Sequence, residues 1–111
     1  MTNEQKIIQP KEVESPTIIV CIDTSSASVA VLRYSCYKAR KLGFSVRALA
    51  VMESSNLMFG AKTMAHEERA NLEKYLKEAV KKVHEETGLS PEISIREGDI
   101  STEIIKEIKS T

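Results

Sequence analysis

The residues best equipped for chemistry are gathered in one short run. Asp23 follows an apolar stretch over residues 17–22 and leads directly into Thr24, Ser25, Ser26 and Ser28. A carboxylate among hydroxyls can accept hydrogen bonds from the hydroxyls of a ligand. It can equally steady a helix N-terminus through the dipole, and both roles stand open for Asp23. The serines are efficient caps and turn formers. Other candidates fall away on spacing. His66 opens HEERA, but a metalloprotease helix needs a second histidine where Ala70 stands. His84 sits near the end of a charged helix, where a cation suits the dipole. Cys21 and Cys36 lack metal-ligand spacing and read as buried free thiols on apolar faces. The pairs Glu67-Glu68 and Glu85-Glu86 read as a solvated helix face. Asp99 ends the third strand, where a receiver domain carries its phosphoacceptor. A receiver also needs an acidic pair after its first strand and a distant lysine, and Asp23 stands alone. No catalytic residue and no metal ligand is expected.

The elements that must position Asp23 follow from periodicity. Residues 17–23 form a strand that is apolar on both faces, the pattern of a parallel sheet covered by helices. The carboxyl ends of such strands open onto the crevice where α/β sheets bind ligands. A first helix, capped by Ser25 or Ser26, carries Val29, Leu32, Cys36 and Ala39 on one face and runs to Leu42. Gly43 suits the position that ends it. A second strand spans 45–52, interrupted by Arg47. A connection follows with Leu57, Met58 and Phe59 at its centre. These residues, with Met64, serve as core packing, as a lid over the crevice or as an intersubunit patch. A second helix places Leu72, Tyr75, Leu76, Ala79, Val80 and Val83 on one stripe and ends at Gly88. A third strand, 92–97, alternates Ile93 and Ile95 with Ser94 and Arg96, which predicts one wet face or an edge position. Ser101 is expected to cap a third helix with Ile104, Ile105 and Ile108 buried, and Ile100 stapled onto Ile105. Residues 1–16 are polar and read as a flexible arm before a domain over 17–111.

Composition bounds the function. The chain has 111 residues, 41% of them apolar, enough for one small core. Its 16 basic and 16 acidic residues cancel, which argues against nucleic acid or an anionic membrane as partner. No apolar run approaches a membrane span and no signal core opens the chain, so a cytoplasmic setting is expected. The β-α-β-α-β-α order predicts an α/β fold, a three-layer sandwich with parallel strands in order 3-2-1. That order leaves an apolar first strand at an edge. An uncovered apolar edge is a pairing template, so further strands or a second copy of the chain is expected to cover it.

The run IIVCIDTSSAS, the strand VRALAV and the segment REGDISTEIIKEI after a long charged helix together resemble the universal stress protein family, over about residues 17–109. The resemblance implies a Rossmann-like sandwich with strand order 3-2-1-4-5, of which this chain looks like the first two thirds. It implies a regulatory stress-response module rather than an enzyme, with at most weak ATP hydrolysis, ATP as ligand and a homodimer as assembly. By the same resemblance Asp23 lies near ribose and adenine, Val51 offers backbone bonds to adenine, and Cys21, Thr24 and Ser25 line the pocket. The family's phosphate loop, G-x2-G-x9-G-(S/T), does not occur. The four glycines, Gly43, Gly60, Gly88 and Gly98, are scattered. The alternatives are a homo-oligomeric interaction module that binds no nucleotide and, more distantly, a fragment of a nucleotide-dependent enzyme.

Overall fold

The computed structural model describes residues 16–53 and 62–110. The arm expected over residues 1–16, apart from Pro16, and the Leu57, Met58 and Phe59 group lie outside the described residues. Elements alternate as β1 (Thr17–Cys21), α1 (Ser26–Leu42), β2 (Ser45–Glu53), α2 (Lys62–Thr87), β3 (Glu92–Gly98) and α3 (Ile100–Lys109). The strands form one parallel sheet in the order β1-β2-β3. This is the open α/β architecture expected, with β1 at an edge among the described residues.

Strand register separates two faces. Val20, pairing with Ala48, shares a face with Ile22, Val46 and Ala50. These pack with Leu32, Cys36 and Ala39 of α1 and with Leu76 and Val83 of α2 in a single core. Both crossovers run the same way along the sheet, so right-handed connections deliver both helices to the same face. Enclosing a leucine or valine side chain is worth about 1.5–3 kcal/mol each. Gly43 closes α1 with φ +76° and donates its N–H to the Ala39 carbonyl. Thr87 is fully buried at the end of α2, where its hydroxyl donates to the Val83 carbonyl. Arg40 donates to the Thr87 carbonyl at 2.8 Å and ties α1 to the end of α2.

The opposite face overturns two expectations together. The third helix turns Glu103 and Glu107 to the sheet, and of its three expected core isoleucines Ile104 alone is half-buried. Glu103 and Glu107 are 8% and 3% exposed, whereas Ile105 and Ile108 are 51% and 55% exposed. Ile100 is also exposed, and no hydrophobic staple buries it with Ile105. The cause lies beneath the helix. Arg47, Ser94 and Arg96 project from this face of β2 and β3. Glu107 accepts from Arg47 at 2.9 Å, from Ser94 at 3.0 Å and from Arg96 Nε. Glu103 accepts from Arg96 Nη1 at 3.3 Å. The polar face of β3 is therefore covered rather than wet, while β3 does take the edge position that its alternation also allows, among the described residues. Burial alone would raise the Glu107 carboxyl, but the bonds from Arg96, Ser94 and Arg47 outweigh it and hold the group below its ordinary value.

The cap of α3 also differs from expectation. Asp99, not Ser101, caps it, because Asp99 is extended at φ −76°, ψ 130° while Ser101 is already helical. The Asp99 carboxylate accepts from the Thr102 N–H and hydroxyl, at 3.0 and 2.9 Å. The thiols divide as well. Cys36 is buried, but Cys21 is exposed. Cys21 alternates away from Val20 and Ile22 onto the face where α3 packs on β2 and β3 rather than on β1.

Candidate functional site

A cleft of about 870 Å³ opens past the carboxyl ends of β1 and β2. Its volume falls in the range of small-ligand sites. The chain reaches it at four places: the turn after β1, the end of β2, the first half of α2 and the first residue of α3. Ile22, Ala50, Val51, Met52, Leu72 and Ile100 supply its apolar lining. Asp23, Thr24, Glu53, Glu67, Glu68 and Asn71 supply its polar lining. A flat apolar ring can lie on the first set while its hydroxyls meet the second.

Asp23 is held by a closed set of bonds within its own turn. The Ser25 N–H donates to Asp23 Oδ1 at 2.8 Å. The Ser28 hydroxyl donates to the same oxygen at 2.7 Å and accepts from the Asp23 N–H at 3.0 Å. Ser25 is the cap of α1, its hydroxyl accepting from the Ser28 N–H at 3.2 Å. The Tyr75 hydroxyl donates to the Ser25 carbonyl at 3.2 Å and pins the turn to α2. The Ser25 and Ser28 hydroxyls, with the Ser25 N–H, bring the Asp23 carboxyl down from 3.8 to about 2. It is therefore a fixed carboxylate. The bonds from the Ser25 N–H and the Ser28 hydroxyl both fall on Oδ1, so Oδ2 keeps acceptor capacity for hydroxyls of a ligand.

Of the residues singled out from the sequence, the structure brings Asp23, Thr24 and Val51 to the cleft. Ser25 stands just outside its lining and acts as helix cap. Cys21 is not among the lining residues and projects from the opposite face of the sheet. Sequence reasoning missed the contribution of α2, because Glu67 and Glu68 read as surface. A usable signal exists. Stepping back four residues from Leu76 reaches Leu72 and then Glu68, and four from Tyr75 reaches Asn71. The core stripe thus runs on past the end of the sheet and overhangs the cleft.

Among the described residues, no group of three or more His, Cys, Asp or Glu side chains is arranged to hold a metal ion. None of the described helices is long and apolar enough to cross a membrane.

The comparisons with known proteins agree with one another. The model of the universal stress protein family matches residues 15–111. Among solved structures the chain is similar to universal stress protein UspA from Lactobacillus plantarum, with a TM-score of 0.74 and 18% identity over 88% of this chain and 71% of that one. At that identity the likeness concerns the fold. Comparison with curated proteins finds no match.

Proposed function

This chain belongs to the universal stress protein family, and from that premise we propose that it is a stress-response module which binds an adenine nucleotide such as ATP at the strand-end cleft and acts as a dimer. The observation that carries the ligand reading is the pairing of a preset carboxylate with an apolar shelf. Asp23 has its acceptor fixed by Ser25 and Ser28. Ile22, Ala50, Val51, Met52 and Leu72 form the shelf beside it. A ribose donates two adjacent hydroxyls, and an adenine needs a flat apolar bed. The role is regulatory rather than catalytic.

The test is calorimetric titration of the chain with adenine compounds, repeated on Asp23→Asn. An asparagine oxygen still accepts from Ser25 and Ser28, so the turn survives while the carboxylate is lost. Loss of a hydrogen bond to a charged group costs about 1.5–3 kcal/mol, so binding should weaken roughly 10- to 100-fold. Absence of heat with every adenine compound up to millimolar concentration would refute the ligand reading.

A second reading, a homo-oligomeric interaction module, is favoured by the edge of the sheet. Among the described residues β1 pairs with β2 alone, and Ile19 is only half-buried while Cys21 is exposed. A free parallel edge of apolar residues can pair with the same edge of a second copy. Sedimentation at micromolar concentration decides the point: a well-folded monomer throughout would end the dimer proposal.

A further inference from the structure

The charge lining the cleft discriminates among the adenine compounds proposed above, and the inference rests on that reading. We infer that the cleft ranks adenine ligands inversely by charge, holding neutral adenosine tightest and losing affinity with each phosphate added. Its described lining carries four carboxylates, Asp23, Glu53, Glu67 and Glu68, and no lysine, arginine or histidine. Sites for phosphate are built from basic side chains or from open backbone N–H groups. Among the described residues no basic side chain lines the cleft. At the N-termini of α1 and α3 the chain's own side chains take some of the N–H groups. Asp23 takes the Ser25 N–H and Ser25 takes the Ser28 N–H at α1. Asp99 takes the Thr102 N–H at α3.

The nearby arginines are also engaged. Arg69, next to Glu68 in the chain, pairs with Glu97 at 3.7 Å. Arg96 is held by Glu103 and Glu107 on the far face of the sheet. A triphosphate in this cleft meets four carboxylates and no basic side chain among the described lining. Magnesium on the phosphates lowers the charge of ATP without cancelling it, so the complex still binds more weakly than neutral adenosine. The sugar and base, in contrast, meet the fixed Asp23 acceptor and the apolar shelf.

Titrations with adenosine, AMP, ADP and ATP, each with and without magnesium, test the ranking. Adenosine should bind tightest, and ATP roughly tenfold or more weaker, given several unit-charge repulsions across water-filled space. Added salt should narrow the gap by screening. Glu67 and Glu68 are exposed on α2, so Glu67→Gln with Glu68→Gln leaves the fold intact and should shrink the adenosine-to-ATP affinity ratio. ATP binding as tightly as adenosine, with or without magnesium, overturns the ranking and leaves the adenine reading standing. A ratio unchanged in the double variant overturns it too, since the carboxylates would not be its cause. Failure of all four compounds to bind sinks the adenine reading itself.

Discussion

Replacing Glu107 by glutamine should destabilise the fold more than replacing any exposed isoleucine of the same helix. The side chain is 3% exposed and accepts three hydrogen bonds, from Arg47, Ser94 and Arg96. Glutamine keeps the shape and one acceptor oxygen, but its amide nitrogen opposes an arginine donor. Each lost bond to a charged group is worth about 1.5–3 kcal/mol. Removing one partner of a fully buried pair costs about 3–5 kcal/mol. Both arginines here remain partly exposed, at 23% and 27%, so water restores some of their solvation. The net expectation is a loss of about 2–3 kcal/mol. For a domain of this size that lowers Tm by roughly 10 °C. The assay is urea unfolding followed by circular dichroism at neutral pH, at protein concentrations where the chain is monomeric. Ile105→Gln is the paired control. Ile105 is 51% exposed, so its replacement should stay within about 0.5 kcal/mol of the parent. A pattern-based packing of α3, with isoleucines inward, demands the reverse order. An Ile105→Gln loss larger than the Glu107→Gln loss would refute the inverted helix.

The two thiols should separate by reactivity: Cys21 is exposed, while burial pushes the Cys36 thiol up to about 11. A thiol-reactive dye should label one cysteine in the native chain and two after unfolding, and fast double labelling without denaturant would contradict the packing. Acid should destabilise the fold with a definite sign, because Asp23, Asp99 and Glu107 all lie below their ordinary values when folded. Their contribution is complete above the unfolded range and is lost as pH falls through the folded values, so stability should drop between about 4.5 and about 2. Proton-resolved titration should place the Asp23 midpoint near 2 and move it upward in Ser28→Ala; a midpoint at the ordinary 3.8 would deny the hydroxyl contacts. Gly98→Ala should cost about 2 kcal/mol, since the residue sits at φ +147° and a Cβ there would lie 2.7 Å from Glu103 Oε2. Gly43→Ala, at φ +76° with open space around it, should cost only about 1 kcal/mol by the same unfolding assay.

Much of the molecule is legible along the chain. The Leu72 to Val83 stripe reads as the core face of α2, and Leu76, Ala79 and Val83 are buried there. Gly43 reads as the end of α1 and takes the left-handed conformation that role requires. Ser25 reads as a cap and serves as one. Asp23 reads as an acid at the mouth of the sheet, and the cleft opens beside it. The misreadings share a cause. Ser94 and Arg96 alternate with isoleucines in a pattern that suits solvent, yet a helix of complementary charge covers them. Ile104, Ile105 and Ile108 recur at helical spacing, yet Glu103 and Glu107 turn inward.

Periodicity, caps and breakers act within a few residues, so the sequence by itself determined the elements, their order and the parallel sheet they build. Which face of α3 turns inward depends on Arg47, 60 residues before Glu107, and on Arg96 in the next strand. Burying those guanidiniums under isoleucine would leave charge without a partner, a cost that exceeds the gain from enclosing an aliphatic side chain. That comparison exists only once β2 and β3 lie side by side. The overhang of Glu67 and Glu68 on the cleft is of the same kind, because it depends on where α2 crosses the end of the sheet. The tertiary structure decided both.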